Sequence, residues 1–317
     1  MAITYYVLRI TYYALRITHY VLRITYYVLL ITLPKVISMR IDSHVHLWTD
    51  GKPPFPFNDQ KTTSRPDRAC FVEDLIEFMD EHKFDRAVLV QTFWHGFDNS
   101  YMCHCIDRFP DRIHGVALID PHKPDAAAIF ERLNQEHGVQ AMRLYPITTE
   151  DASWLCADDQ LPLWETARRL GLSFTWFGRC AQLPHLEPML VRFPEVNVVV
   201  DHLGEPILDE GTGGSFQNLL KMAKYPNLFV KATRMDGISD QEWPFEDVRP
   251  FVKAVYENFG ADRMIGWSGF PLNPPGEDML GFRIIEETYD FLTQEDLSWL
   301  QGKTSARIYV NHPQPLP

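Results

Sequence analysis

Residues 40–45, Arg-Ile-Asp-Ser-His-Val, decide the fold, because they are a short β-branched run that ends beside two histidines, His44 and His46. Seven similar runs follow along the chain, at 85–91, 113–119, 139–144, 172–177, 196–201, 228–232 and 263–268. Between these predicted strands, apolar residues recur at helical spacing in segments 71–82, 124–137, 158–170, 183–193, 215–224, 245–259 and 278–291. Strands that alternate with helices are typical of βα units and a parallel sheet.

Two architectures accommodate such a series of right-handed crossovers, a closed barrel and an open doubly wound sheet. No Gly-x-Gly-x-x-Gly motif follows the first strand, which removes the commonest reason to choose the open sheet. The sequence therefore predicts an α/β fold, a single (β/α)8 TIM barrel over residues 39–311, with 312–317 as a tail. The Pro-rich segment 49–67 is expected to be a long loop at the catalytic face.

An N-terminal repeat precedes the predicted barrel. Residues 3–30 repeat the unit Ile-Thr-Tyr-Tyr-Val-Leu-Arg with a period of seven. Its β-branched and aromatic residues, and its lack of acidic residues, argue against a coiled coil, and its recurring arginines argue against a membrane span or a signal peptide. We interpret 1–38 as a low-complexity segment outside the fold, either disordered or upstream of a true start at Met39. An aggregation-prone β segment is the alternative.

Composition limits the partners of the chain. A formal net charge of −12 argues against nucleic acid and anionic membranes as partners, because either would need a positive field, and favours a small molecule. The five cysteines include no Cys-x-x-Cys pair, which fits a reducing cytosol and predicts a cytoplasmic protein. The sequence leaves the oligomeric state open.

Three histidines are the candidate catalytic groups. His44 and His46 are two residues apart at the end of the first strand, so both point to one side and are candidate ligands of one divalent metal ion such as zinc. His202 follows the sixth strand and is expected to join them, either as a third metal ligand or by contacting a substrate carbonyl in a metal-free site. Asp42 lies two residues before His44 on the same face of the strand. It is either a hydrogen-bond acceptor that orients a histidine or a buried structural group.

Other polar residues at strand ends are predicted to bind the substrate. Arg143 ends the fourth strand and Lys231 lies in the seventh, and interior cations need an anion, supplied either by a substrate carboxylate or by a protein carboxylate. Gln91 and Trp176 are predicted wall residues, and Ser268 at the end of the eighth strand completes this set.

Four motifs carry a family resemblance: Ile-Asp-Ser-His-Val-His-Leu-Trp at 41–48, Val-Gln at 90–91, Val-Asp-His-Leu-Gly at 200–204 and Gly-Trp-Ser-Gly-Phe-Pro at 266–271. Together they resemble the amidohydrolase-related branch of the amidohydrolase superfamily, and most closely its lactonases of the 2-pyrone-4,6-dicarboxylate and fuconolactone type. The resemblance spans nearly all of 39–311. It implies a barrel hydrolase for lactones or related esters and amides, in which the histidines bind a metal or the substrate carbonyl and an acid after the eighth strand activates water.

The chain departs from that pattern at the acid. The family motif is close to Gly-Ser-Asp-Trp-Pro, whereas this sequence has Gly269 in the place of the aspartate, and strand 172–177 lacks a histidine found in metal-bound relatives. This leaves three possibilities. Asp236 activates the water in place of the missing aspartate, the substrate itself supplies the acid, or the domain binds its ligand without turning it over. Our hypothesis is that the protein hydrolyses a lactone-like or carboxylated cyclic small molecule. The alternatives are a catalytically degenerate barrel that only binds a ligand and a decarboxylase of the same fold.

Overall fold

The computed structural model describes residues 39–58, 65–273, 276–277 and 279–310. Within them the predicted (β/α)8 barrel is confirmed, since eight parallel strands pair in chain order and roll into a nearly closed barrel. The predictions for residues 1–38 and for the tail 312–317 lie outside the described residues. The strands are β1 (Ile41–Val45), β2 (Arg86–Val90), β3 (Ile113–Ala117), β4 (Ala141–Leu144), β5 (Ser173–Trp176), β6 (Val198–Val200), β7 (Leu228–Lys231) and β8 (Met264–Ile265).

Helices surround the strands and bury their apolar faces against them. In the described part of the chain the α-helices are α1 (Val72–Glu81), α2 (Ser100–Arg108), α3 (Ala126–His137), α4 (Leu161–Leu170), α5 (Glu187–Arg192), α6 (Phe216–Lys221), α7 (Met235–Ile238), α8 (Arg249–Phe259), α9 (Leu280–Thr288) and α10 (Gln294–Ser298). Sequence periodicity did not predict α2, although it buries Tyr101, Met102 and Ile106. No helix among the described residues is long and apolar enough to cross a bilayer.

A separate apolar cluster fills the interior of the barrel. It is built from strand residues such as Val88, Val116 and Phe229, together with Ile308 and Tyr309 from the segment after α10. Both C-terminal side chains are fully buried. Because side chains pack the interior as a core, space for a ligand has to be found beyond the ends of the strands.

Side chains link the first and last strands of the barrel. Among the described residues no β-bridge joins β8 to β1, but the hydroxyl and the backbone N–H of Ser268 both donate to the Asp42 carboxylate, the latter over 3.2 Å. Burial raises the pKa of Asp42 to about 6, even though these hydrogen bonds lower it. Ser43 and Ser305 add a buried hydroxyl contact of 2.6 Å. Asp42 therefore ties the barrel together and bonds to a serine rather than to a histidine side chain.

Candidate active site

A cavity of about 370 Å³ lies where the strands end at their carboxyl side. His44 borders it from β1, His46 borders it just after β1, and His202 borders it two residues after β6. The structure thus brings together the three histidines that the sequence singled out. The other lining residues are Gln91, Thr92, Phe93, Trp94, Arg143, Phe177, Arg234, Trp267 and Leu272.

The three imidazoles contact one another in a compact group. The Nε2 atoms of His44 and His46 are 3.1 Å apart, and the ring centroids of His44 and His202 are 4.8 Å apart. The Trp267 ring stands edge-on to His44, with centroids 5.4 Å apart. The rings of His44 and His202 are almost completely buried, and all three imidazoles line the cavity.

Hydrogen bonds assign the proton on two of the rings. The Nδ1 atom of His46 donates to the carbonyl oxygen of Val90 over 2.8 Å, which leaves a lone pair on Nε2. An ammonium group has only donors, and Nζ of Lys231, 3.0 Å from Nδ1 of His44, is closer to that nitrogen than Oδ1 of Asp201 at 3.7 Å, so we assign Nδ1 as an acceptor. His44 then carries its proton on Nε2 and donates it to Nε2 of His46. We infer these proton positions from the hydrogen-bond partners of each ring.

All three imidazoles are neutral at neutral pH. Burial, together with the nearby Arg143 cation, lowers the pKa of His46 to about 4. Burial likewise holds the pKa of His44 and of His202 well below the ordinary value, assisted at His44 by the Lys231 cation. The Nδ1 atom of His202 is 2.8 Å from the Thr233 hydroxyl, which orients the ring. Each ring can therefore donate one hydrogen bond and accept another.

Asp201 anchors the site and was not among the predicted functional residues. Its Oδ2 accepts from Nε of Arg143 at 2.9 Å, and its Oδ1 forms an ion pair with Nζ of Lys231 at 3.0 Å. Burial alone would raise the pKa of Asp201, but the Lys231 and Arg143 cations hold it well below its usual value. The two interior cations thus have a protein carboxylate as their anion, one of the two possibilities that the sequence left open. An aspartate next to His202 at the end of an apolar strand was the available signal.

The remaining predicted residues lie in different surroundings. Gln91 is on the cavity wall, where its side-chain amide donates to the Asp98 carbonyl over 2.6 Å. Trp176 is fully buried in the layer between strands and helices, and the Ser268 hydroxyl is bonded to Asp42. Asp236 is exposed on α7 and does not border the cavity. We therefore do not carry Trp176, Ser268 or Asp236 into the mechanism.

Gly269 occupies a conformation that excludes the family's acid. Its φ is +107°, a region that side chains rarely adopt, and a Cβ atom there would overlap the amide group of Asn273. That amide is held in place, since it donates to the carbonyl oxygens of Ser268 and Glu277 over 3.0 and 2.9 Å. The loop after β8 is therefore built around glycine.

A Gly269→Asp variant is expected to lose stability rather than gain activity. The strained φ and the overlap with Asn273 together predict a loss of about 2–4 kcal/mol in the free energy of unfolding, measured by urea denaturation. Gly276→Asp is the matched control, because Gly276 also has a positive φ (+85°) but open space around its Cβ position. If the two variants lost equal free energy of unfolding, the Asn273 amide would have to move aside at no measurable cost.

Arg234 and Glu205 are site residues that sequence reasoning missed. Arg234 borders the cavity, and its Nη1 lies 3.0 Å from Oε1 of Glu205. Burial raises the pKa of Glu205, and the Arg234 cation opposes this shift. Four consecutive residues from His202 to Glu205 have positive φ, as does Arg234, and such strain is concentrated at functional sites. A positive φ at a residue other than glycine is set by tertiary contacts, so the local sequence does not predict it.

Comparison with known proteins agrees with this geometry. The chain is 26% identical over 247 residues to L-fucono-1,5-lactonase from Burkholderia ambifaria, covering 75% of this chain and 82% of the relative. It is also 26% identical to 2-pyrone-4,6-dicarboxylate hydrolase from Comamonas testosteroni, with 73% and 76% of the two chains covered. The prediction of a chain related to lactone hydrolases is thus confirmed.

A solved structure and a family profile complete the comparison. A zinc-bound amidohydrolase from Burkholderia multivorans superposes with a TM-score of 0.70 at 18% identity, covering 86% of this chain and 99% of the other, which shows the shared fold. The profile of the family described as Amidohydrolase matches residues 41–310, nearly the whole barrel. This protein therefore belongs to the amidohydrolase family.

Proposed function

We propose that this protein hydrolyses a small lactone or cyclic ester that carries an anionic group. The observation that carries the proposal is the meeting of three neutral imidazoles in one cavity whose wall also holds the guanidinium groups of Arg143 and Arg234. Imidazoles of this kind activate water and polarise a carbonyl, and guanidinium groups bind carboxylates. The named activity of the Burkholderia ambifaria relative supports a lactone as the ring that is opened.

His44 and His46 have complementary roles in the proposed reaction. When the lactone binds, its carbonyl oxygen replaces Nε2 of His46 as the acceptor of the Nε2–H of His44. The lone pair on Nε2 of His46 is then free to accept a proton from the attacking water. A bond forms between the water oxygen and the carbonyl carbon, and the ring C–O bond breaks. The His46 imidazolium then returns its proton to the departing ring oxygen, so that the product is an open-chain hydroxy acid.

An imidazole takes the place of the acid that the family has after the eighth strand. No aspartate or glutamate lines the cavity among the described residues, and Asp201 is engaged by Arg143 and Lys231. His46 is the base that the geometry favours, because its bond to the Val90 carbonyl keeps Nε2 unprotonated. Arg234 is the group available for the anion of the substrate, and Arg143 lies on the same wall.

A divalent metal ion does not fit this donor set. While Lys231 donates to Nδ1 of His44, Nε2 of His44 carries a proton, so the His44 and His46 pair does not present two lone pairs to one ion. The Lys231 and Arg143 cations add positive charge behind the rings. Within the described ranges, no group of three or more His, Cys, Asp or Glu side chains is arranged to hold a metal. We accordingly derive no step through a metal and do not extend the proposal to decarboxylation, the alternative that depends on one.

Turnover of a lactone panel tests the proposed function. The full chain, dialysed against a chelator and checked for metal by elemental analysis, is assayed for acid release from neutral and carboxylated lactones. We expect hydrolysis of a carboxylated lactone that chelation does not reduce and zinc does not increase. Binding of such a lactone without turnover would favour the degenerate barrel, and activity that appears only with added metal would contradict the proposed chemistry.

The pH dependence of kcat/KM follows from the lowered pKa of His46. Because a histidine with a pKa of about 4 stays unprotonated above that pH, kcat/KM is expected to be flat from about pH 8 to about pH 5 and to fall as pH drops through 4. Each sample is returned to neutral pH and assayed again, so that unfolding is separated from titration. An acid limb centred near the ordinary histidine pKa of about 6.5 would instead indicate a solvated base.

A further inference from the structure

Three cations at the candidate active site share two carboxylates. Asp201 is the partner of both Arg143 and Lys231, and Glu205 is the partner of Arg234. The side chains of Arg143 and Lys231 are 3% and 0% exposed, whereas that of Arg234 is 42% exposed, so Arg234 offers a ligand in the cavity the most accessible positive charge of this group. Electrostatic complementarity then favours a ligand with one negative charge over a neutral ligand or a dianion.

Arg234 is held in place by three separate features. Its backbone has a φ of +61°, its Nη1 is 3.0 Å from Oε1 of Glu205, and its side chain lies across Gly237. A Cβ atom at Gly237 would come within 2.7 Å of Nε of Arg234, so the absence of a side chain there allows this position. The Arg234 side chain is 42% exposed and lines the cavity, whereas Glu205 is 23% exposed and is not among the lining residues, so the carboxylate supports the guanidinium from outside the cavity lining.

We propose that Glu205 is a positioning residue that sets the charge of the accepted substrate, by orienting Arg234 and neutralising part of its charge. The substrate class is then a lactone with a single carboxylate, with dicarboxylated lactones disfavoured. This inference rests on the proposed function for the nature of the ring. The expected charge preference follows from the ion pairs and from the exposure of Arg234.

Removing the Glu205 charge is expected to change the charge preference of the site. Glu205→Gln keeps the size of the side chain but leaves the positive charge of Arg234 without its carboxylate partner. A dicarboxylate should then gain affinity relative to a monocarboxylate by roughly two- to fivefold, as for the loss of a partly exposed ion pair. Arg234→Gln should weaken binding of both anions and remove the preference.

Calorimetric binding of non-hydrolysable ring analogues to the full chain tests this inference separately from turnover. The probes are a cyclopentanone monocarboxylate, its methyl ester and a cyclopentanone dicarboxylate, titrated into the wild type, Glu205→Gln and Glu205→Asp. Asp209→Asn is the matched control, because it removes one negative charge from the same loop at an exposed residue. We expect the wild type to prefer the monocarboxylate, Glu205→Gln to shift toward the dicarboxylate, and Glu205→Asp and Asp209→Asn to retain the wild-type preference.

Three results would overturn the inference: no binding of the monocarboxylate to the wild type, a wild-type preference for the dicarboxylate, or an unchanged preference in folded Glu205→Gln. Circular dichroism of each variant establishes that it is folded. A wild-type chain that shows the expected preference but hydrolyses no lactone would reject the proposed function and leave this inference standing.

Discussion

Replacing His46 with glutamine is expected to lower kcat/KM for lactone hydrolysis by roughly 10²- to 10⁴-fold while the protein stays folded. A glutamine amide can still donate to the Val90 carbonyl, which accepts from Nδ1 of His46 in the wild type. It has no nitrogen lone pair of imidazole basicity, however, so it cannot take the proton of the attacking water. The loss is measured by steady-state kinetics of the full chain at neutral pH.

A second variant controls for the replacement of a histidine by glutamine. His104 is exposed on α2, outside the lining of the 370 Å³ cavity, so His104→Gln is expected to leave kcat/KM within about twofold of the wild type. A loss of less than tenfold in His46→Gln, with the fold intact, would mean that another group is the base.

Replacing Asp201 with asparagine is expected to reduce the free energy of unfolding by about 3–5 kcal/mol. Asp201 is fully buried and is the shared anion of Arg143 and Lys231, whose side chains are 3% and 0% exposed. An asparagine of nearly the same shape would remove the carboxylate that pairs directly with both cations in the barrel interior. Urea unfolding of the full chain, followed by circular dichroism, measures the loss.

Lys231→Met is the matched comparison for this ion-pair cluster. Removing Lys231 leaves Asp201 paired with Arg143, so one anion and one cation remain in balance. We therefore expect a smaller loss of stability than in Asp201→Asn, by about 2 kcal/mol or more. If the two variants lost equal stability, or if Asp201→Asn lost less than about 1 kcal/mol, the cluster would not depend on its shared anion in this way.

Most of the fold could be predicted because its signals are local. A buried strand such as Val198–Val200 is a short β-branched run in the sequence, and the period of two places His44 and His46 at the same strand end. Parallel strands then carry His202 to the same side of the barrel. Helix α2 was missed because it is short and its buried face includes Cys103, Cys105 and Tyr101, which a search for an aliphatic stripe passes over.

The rest of the site depends on contacts between distant parts of the chain. Asp201 is defined by cations from β4 and β7, and its partnership depends on how those strands are placed in the barrel. Gly269 appeared in the sequence to be a lost acid, whereas its φ and the Asn273 amide show a loop that has no room for one. Strand register and backbone conformation of this kind cannot be predicted from a short stretch of sequence.

A crystal structure of the full chain with a non-hydrolysable carboxylated lactone analogue, grown with zinc present, distinguishes imidazole from metal chemistry at this site. We expect the carbonyl oxygen of the analogue within hydrogen-bond distance of Nε2 of His44, its carboxylate on Arg234, and no metal between the imidazoles. An ion bound by His44, His46 and His202, or an analogue bound outside their cavity, would contradict this expectation.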